Sequence, residues 1–87
     1  MYCIYLVQCS DNSYYCGITT DIARRVSQHN SGVGAKYTRA RLPVSLLYST
    51  ENKFTRSEAL KLEYQVKSQK RSNKLSFIEE INNGPSR

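Results

Sequence analysis

The sequence predicts an α+β fold in which a three-stranded antiparallel sheet is flanked by helices, in the order β-β-α-β-α-α. Two β-forming runs joined by a turn occupy the first 19 residues, a third run follows Pro43, and apolar residues recur at helical spacing elsewhere. With 87 residues, 39% of them hydrophobic, the chain has material for one small core. We therefore expect a single domain over residues 1–82 and a short tail over residues 83–87.

The first two strands are expected to form a hairpin. Residues 2–9 are nearly all apolar or aromatic, and such a run is typical of a strand at the centre of a sheet. Its side chains alternate between two faces, one carrying Ile4 and Leu6 and the other Cys3, Tyr5 and Val7. Residues 10–13 have turn-forming side chains, and residues 14–19 resume a β-rich pattern.

A helix is predicted after the hairpin. Thr20 or Asp21 is suited to be its N-cap, because the side-chain oxygen of either residue accepts a hydrogen bond from an orphan amide. Ile22 and Val26 would supply its apolar face, and the pattern ends at about Asn30.

The segment that follows is predicted to be irregular. Residues 31–41 contain Gly32 and Gly34 among basic side chains, so we expect a mobile basic loop rather than a regular element. Pro43 interrupts any helix before it, and residues 44–50 alternate enough to form the third strand.

Two further helices complete the prediction. Thr55 and Glu58 have the spacing of a capping box. The helix that follows has three apolar residues at helical spacing, Ala59, Leu62 and Val66. Ser72 is expected to cap a short last helix that ends at Gly84-Pro85. This helix would turn three apolar residues inward, Leu75, Ile78 and Ile81.

Basic residues dominate the middle of a chain whose net charge is +6. No acid separates five cations between Asp21 and Glu51, namely Arg24, Arg25, Lys36, Arg39 and Arg41. Clustered cations bind a phosphate backbone by releasing its counterions, without reading its sequence. We expect nucleic-acid contacts from Arg24, Lys36, Tyr37, Arg39 and Arg41. The alternative is an ordinary solvated surface.

Composition argues against several other classes of protein. No apolar stretch approaches the length of a membrane span and the first residues do not resemble a secretory signal, so we expect a cytoplasmic protein. The three cysteines, Cys3, Cys9 and Cys16, lack C-x-x-C spacing and are interpreted as small buried hydrophobes. A metal site of these cysteines with His29 is the alternative.

Polar residues in unusual positions mark a candidate site. Glu63 lies on the inward stripe of its helix, where a carboxylate is costly to bury unless a cation or several donors meet it. Arg25 and His29 are four residues apart and share one helix face. Plainer interpretations are a pair between Glu63 and Lys67, a helix-end histidine and a surface arginine. Tyr5 and Tyr15, likewise, are compatible with simple packing.

Taken in order, these residues resemble a known family. Tyr5 within Cys3-Ile4-Tyr5 and Tyr15 within Tyr15-Cys16-Gly17 are followed by Arg25, His29 and Glu63, as in the GIY-YIG nuclease superfamily. The chain is most similar to the small stand-alone branch of that superfamily, over about residues 2–80. The runs that carry the similarity are residues 17–21 (GITTD), 24–25 (RR), 28–30 (QHN) and 34–41 (GAKYTRAR).

The resemblance implies an endonuclease that hydrolyses phosphodiester bonds by in-line attack of water, with a single divalent metal, Mg²⁺ or Mn²⁺. By analogy with the family, Glu63 would bind the metal and Arg25 would steady the phosphate. Tyr5 and Tyr15 would line the side of the attacking water, with Tyr5 as the general base. His29 would orient Tyr5, relay its proton or donate to phosphate.

The expected partner is DNA, with RNA as an alternative. No predicted element has the character of a helix that reads a groove, so we expect recognition of branched, nicked or damaged structure, as in DNA repair, rather than of base sequence. A protein partner that supplies specificity is also expected from relatives. The alternative function is a module of the same fold that binds nucleic acid or a nuclease, with weak or no catalysis.

Overall fold

The computed structural model describes residues 1–84. Its elements are β1 (Cys3–Gln8), β2 (Tyr14–Thr19), α1 (Ile22–Asn30), α2 (Lys36–Arg39), β3 (Ser45–Ser49), α3 (Arg56–Lys67) and α4 (Arg71–Asn83). The three strands form one antiparallel sheet with helices around it, so the predicted fold class is confirmed. Within residues 1–84, no helix has the length and apolar character needed to cross a membrane. Residues 85–87, with Pro85 and most of the predicted tail, lie outside the described residues.

Strand β1 lies at the centre of the sheet, in the order β2-β1-β3. Tyr5 is paired with Gly17 on β2 and with Ser49 on β3. Residues 3–7 of β1 are all 0% exposed, so both faces of this central strand are covered, as its unbroken apolar run predicts. Strand β2 is an edge of the sheet, and this position allows groups from both faces to meet there.

The two faces of β1 carry two separate cores. On one face, Ile4 and Leu6 pack with residues from the last two helices, Ala59, Val66 and Ile78. On the other face is a smaller cluster of Tyr5, Val7, Cys9 and Val44, against which Ile22 and Val26 pack from α1. The small cluster lies under α1, so this helix is the one that brings side chains to Tyr5.

All three cysteines are free and buried, as predicted for small hydrophobic side chains. The described residues contain no group of three or more His, Cys, Asp or Glu side chains that could hold a metal ion. The alternative site made of the cysteines and His29 is therefore wrong.

Local sequence signals set the starts of two helices. Asp21, not Thr20, is the N-cap of α1, and its carboxylate accepts from the amide of Arg24 at 3.1 Å. At α3, the Thr55 hydroxyl accepts from the amide of Glu58 at 3.1 Å, and the Glu58 carboxylate accepts from the amide of Thr55 at 2.9 Å. The predicted capping box is confirmed.

The predicted cap of the last helix is wrong. Helix α4 begins at Arg71 with Lys70 as its N-cap, two residues before the predicted cap Ser72, and it runs for 13 residues rather than being short. The tight connection from α3 decides this start. The Lys74 ammonium donates to the carbonyls of Val66 at 3.0 Å and Lys67 at 2.9 Å, which fastens α4 to the end of α3.

Residues 31–41 are more ordered than their glycines indicate. Lys36–Arg39 forms one helical turn, α2, so the prediction of a segment without regular structure is wrong. The buried Thr38 donates its hydroxyl to the carbonyl of Ala35 at 2.9 Å and contacts the ring of His29. A tertiary contact of this kind overrides weak local propensity.

We expect Ile78→Ala to destabilise the protein by about 2–5 kcal/mol, because Ile78 is fully buried between α4 and the sheet and its truncation leaves a cavity. Urea unfolding followed by circular dichroism measures the change. Glu79→Ala, at the exposed neighbouring position of the same helix, is the control and should change stability by about 0.5 kcal/mol or less. Equal effects of the two substitutions would show that α4 does not support the core.

Candidate active site

A buried hydrogen-bonded cluster lies between β1 and α1. The hydroxyl of Tyr5 lies 2.8 Å from Nε2 of His29 and accepts a hydrogen bond from Nε of Arg25 at 3.3 Å. Arg25 and His29 are one helical turn apart, and α1 turns both toward β1, which confirms their predicted shared face. Tyr5 and His29 are both 0% exposed, whereas Arg25 is partly exposed.

Two glycines make room for this cluster. A Cβ atom at Gly17 would lie 2.5 Å from the hydroxyl oxygen of Tyr5, and one at Gly34 would overlap Nδ1 of His29. Gly17 is the last residue of the Tyr15-Cys16-Gly17 motif, so steric exclusion by Tyr5 gives that motif position a physical reason. The sequence predicted no such contact for Gly34, which was interpreted as a breaker of regular structure and as the first residue of the run 34–41.

Tyr15, on the edge strand β2, lies between the buried cluster and the surface of the protein. Its ring centroid lies 5.4 Å from that of His29 and 6.5 Å from that of Tyr5. On its other side, Tyr37 from α2 stacks on it with centroids 6.0 Å apart and an interplanar angle of 21°. Tyr37 is 39% exposed, and the guanidinium of Arg41 lies 4.0 Å from its ring centroid. Tyr15 itself is partly exposed, so it is the phenol of the pair that borders solvent.

Glu63 approaches the same edge of β2 from the opposite face of the sheet. Its side chain is 17% exposed and pairs with Lys67, whose Nζ lies 3.2 Å from Oε2. The same Lys67 Nζ lies 5.6 Å from the ring centroid of Tyr15. Glu63 is thus mostly buried, as its inward position predicts, and it also forms the pair with Lys67 that was the plainer interpretation. Among the described contacts, Lys67 is the group that joins Glu63 to the tyrosines.

The residues fit a metal site with a single protein carboxylate. Mg²⁺ prefers oxygen ligands and keeps several waters, so one carboxylate and the oxygens of a substrate phosphate are a sufficient set. The carboxylate of Glu63 is 17% exposed, and its present partner is a single ammonium group, that of Lys67. Residues 1–84 hold no cluster of three candidate ligands, so a multi-ligand protein cage is not available.

The four cations predicted to contact nucleic acid differ in whether an acid pairs with them. Arg24 lines a polar groove beside Arg25, while Lys36 and Arg39 are exposed on α2. The described part of the chain contains two ion pairs, Lys67 with Glu63 and Arg41 with Asp11, so Arg24, Lys36 and Arg39 keep uncompensated charges.

Arg41 differs from the other cations of the loop. Its Nε lies 3.0 Å from Oδ2 of Asp11, and its Nη1 donates to the carbonyl of Tyr37 at 2.8 Å. Asp11 precedes Arg41 by 30 residues and lies outside the acid-free segment between Asp21 and Glu51, so the sequence pattern does not indicate this pair. Arg41 is therefore partly committed to holding Tyr37 against the hairpin.

Burial controls the protonation of the cluster. Burial raises the pKa of Tyr5 to about 12, although the hydrogen bond and charge of Arg25 act in the opposite direction. Burial also lowers the pKa of His29 below its ordinary value, and the positive charge of Arg25 lowers it further. Both groups are therefore neutral near pH 7.

We expect the stability of the protein to fall as the pH drops from 7 to 5. The folded state favours neutral His29, so the unfolded chain, with a histidine pKa of about 6.5, binds a proton first as the pH falls. The stabilisation is complete above about pH 6.5 and is lost below it, by at most about 1.4 kcal/mol per pH unit. Urea unfolding at a series of pH values measures this slope.

The matched control is His29→Gln, which removes the only histidine of the chain. Its stability should change much less over the same interval, which lies above the ordinary pKa of carboxyl groups. If the wild type and His29→Gln have the same slope, the neutral buried imidazole is refuted.

Comparison with known proteins places the chain in a family. A family model described as the GIY-YIG catalytic domain matches residues 1–76. UPF0213 protein VNG_2274C of Halobacterium salinarum is 50% identical over 74 residues, which cover 85% of this chain and 95% of that protein. UPF0213 protein SH2523 of Staphylococcus haemolyticus is 48% identical over 77 residues, covering 88% and 93% of the two chains.

Solved structures agree with this relationship. The solution NMR structure of the protein EF2693 from E. faecalis has a TM-score of 0.61 and 38% identity, covering 99% of this chain and 91% of that one. That of the UPF0213 protein BH0048 from Bacillus halodurans has a TM-score of 0.54 and 40% identity, covering 98% and 89%. With its fold, its ordered tyrosines, arginine, histidine and glutamate, and these relatives, the chain belongs to the GIY-YIG catalytic domain family, in the branch of small UPF0213 proteins.

Proposed function

We propose that the protein is a metal-dependent endonuclease that hydrolyses phosphodiester bonds in DNA. The observation that carries the proposal is the continuous series of contacts at the edge of β2, from Arg25 through Tyr5 and Tyr15 to Lys67 and Glu63. A guanidinium for phosphate, a phenol beside solvent and a carboxylate for a cation are the groups that such hydrolysis requires. The nuclease fold of the family supports the same reaction class.

Arg25 is assigned to the phosphate. Its planar guanidinium is suited to two phosphate oxygens, and negative charge on those oxygens grows as water attacks. Nε of Arg25 donates a hydrogen bond to the hydroxyl of Tyr5, and Nη1 donates to the side-chain oxygen of Gln28 at 3.2 Å. These two bonds hold the guanidinium at a defined angle. Tyr5 and His29 are assigned to this positioning.

Tyr15 is assigned to the side of the attacking water. Family resemblance favours Tyr5 as the general base, but Tyr5 has no exposed surface and its pKa is raised to about 12. Tyr15 is the partly exposed phenol, and the ammonium of Lys67 lies 5.6 Å from its ring centroid. Burial therefore favours Tyr15 over Tyr5 as the hydroxyl that meets the water.

Glu63 is assigned to the divalent ion. When bound, Mg²⁺ or Mn²⁺ supplies Lewis-acid activation of the phosphate and of water. Glu63 would hold the ion in place of its present partner Lys67, and the ammonium of Lys67, beside Tyr15, would be available to bind phosphate.

The substrate is proposed to be DNA of branched, nicked or damaged structure, in the context of repair. Arg24, Lys36 and Arg39 have uncompensated charges that suit phosphates, which carry no base sequence. We further propose that a protein partner supplies specificity and that the protein acts in the cytoplasm, where its free buried cysteines stay reduced.

A second candidate is a binding module with weak or no catalysis. One observation favours it: the carboxylate of Glu63 is neutralised by Lys67, which makes it a weaker metal ligand than a free acid. The same basic residues would then hold nucleic acid without cutting it.

We expect Glu63→Gln and Arg25→Ala each to lower the cleavage rate about 100-fold or more, since each removes charge stabilisation of the transition state. Gel assays on branched, nicked and single-stranded DNA with Mg²⁺ or Mn²⁺ measure the rate, and EDTA should abolish it. Glu79→Gln, at an exposed position of α4, is the charge-matched control and should cut normally. Full activity of Glu63→Gln would contradict the assignment, and binding without cleavage under either metal would favour the module.

We expect DNA affinity to fall steeply with salt, and Lys36→Ala to weaken binding about equally for unrelated sequences. Loss of one phosphate contact should reduce the slope of log K against log salt by about 1. Arg41→Ala should reduce it less, because Arg41 is paired with Asp11. Fluorescence anisotropy with labelled DNA measures both effects, and Lys61→Ala, on the exposed side of α3, is the control. Salt-independent affinity would rule out a phosphate-binding surface.

A further inference from the structure

His29 lies sealed between two hydroxyl groups. Its Nε2 lies 2.8 Å from the hydroxyl of Tyr5, and its Nδ1 lies 2.8 Å from Oγ1 of Thr38. All three side chains are 0% exposed, so bulk water does not exchange with either contact. The first contact joins His29 to the centre of the sheet, and the second joins it to α2.

The direction of each hydrogen bond follows from the group at one end of the series, the guanidinium of Arg25, which can only donate. Arg25 Nε is a donor only, so the oxygen of Tyr5 accepts there, and the proton of Tyr5 has only Nε2 of His29 to bind. Leaving that buried proton without an acceptor would cost about 1–3 kcal/mol. Nε2 is therefore the acceptor, and a neutral imidazole then carries its proton on Nδ1.

Thr38 completes the series. Nδ1–H of His29 donates to Oγ1 of Thr38, and the Thr38 hydroxyl donates to the carbonyl of Ala35 at 2.9 Å. All of these hydrogen bonds thus point the same way, from the guanidinium of Arg25 to a backbone carbonyl just before α2. Each hydroxyl both accepts and donates, and no polar side-chain atom buried among residues 1–84 lacks a partner.

We propose that Thr38 is a positioning residue for the cleavage reaction: it holds the proton of His29 on Nδ1, so that Tyr5 donates to His29 and presents its oxygen to Arg25. Without this acceptor, the Nδ1–H form leaves a buried N–H unpaired, a cost that moving the proton to Nε2 removes, and Nε2–H then faces the hydroxyl of Tyr5 as a second donor. The oxygen of Tyr5 would then accept from both Arg25 and His29, and the proton of Tyr5 would have no acceptor in the cluster, so the hydroxyl shifts and the guanidinium loses its fixed angle. The consequence for cleavage rests on the proposed nuclease function, whereas the proton position does not.

Helix α2 then has a second role besides supplying cations, because its Thr38 orients His29. Thr38 is flanked on that one turn by Tyr37, which stacks on Tyr15, and by the exposed Arg39. A nucleic acid that contacts α2 therefore contacts the element that orients His29. Gly34 lies against the same imidazole, and the space it leaves allows the ring and Thr38 to meet.

The test is a long-range ¹H–¹⁵N NMR spectrum of uniformly labelled protein near pH 7.5. The chain has one histidine, so the spectrum contains a single imidazole and its two nitrogen shifts identify the tautomer directly. We expect the Nδ1–H form in the wild type and in Thr38→Ser, which keeps the hydroxyl. We expect Thr38→Val, of the same shape without a hydroxyl, to move the shifts toward the Nε2–H form.

Two results would overturn the proposal: an Nε2–H imidazole in the wild type, or wild-type nitrogen shifts in Thr38→Val. Backbone amide spectra and urea unfolding establish that both variants are folded, and Thr38→Ser separates loss of the hydroxyl from a change of packing.

Cleavage provides a second readout. Thr38→Val should lower kcat by about 10- to 100-fold with little change in KM, because a misplaced guanidinium affects the transition state rather than binding. Thr38→Ser should recover most of the rate. Equal kcat values for Thr38→Val and the wild type would refute the positioning role. If the wild type cleaves no DNA, the nuclease proposal fails, while the imidazole spectrum still decides whether Thr38 sets the tautomer.

Discussion

The site depends on the buried hydroxyl of Tyr5. It lies at the centre of the sheet, where it contacts His29 at 2.8 Å and Arg25 at 3.3 Å. A hydroxyl in such a place must both donate and accept, because an unpaired polar group is costly to bury. This requirement orients α1 on the sheet and excludes a side chain at Gly17, where a Cβ atom would lie 2.5 Å from the Tyr5 oxygen. The same buried hydroxyl therefore constrains both the packing around β1 and the geometry of the candidate site.

The second constraint is the edge position of β2. A central strand would keep the face with α1 apart from the face with α3, but at an edge the long side chain of Lys67 reaches across from Glu63 to Tyr15. A guanidinium, a phenol and a carboxylate that belong to different faces are thus linked by contacts, as the proposed hydrolysis requires. The stack of Tyr37 on Tyr15 closes the same edge from α2.

Much of the fold was predictable because its signals are local. The alternation of Ile4 and Tyr5 along β1 assigns their faces, and the Thr55–Glu58 capping box marks the start of α3 within three residues. The cap predicted at Ser72 was wrong because contacts between α3 and α4, not a hydroxyl, set that start. The helical turn at α2 was missed because Thr38 is held by His29, nine residues away, and not by its neighbours.

The sequence by itself determined the family, the sheet, and the five residue types proposed for the chemistry. Tertiary structure alone decided how those residues are used: that Tyr5 is sealed while Tyr15 meets solvent, that Arg41 is paired with Asp11, and that Thr38 contacts the imidazole. The physical reason is that burial and hydrogen bonding depend on which elements pack together. Periodicity and caps describe each element separately and carry no information about the distance between side chains on different elements.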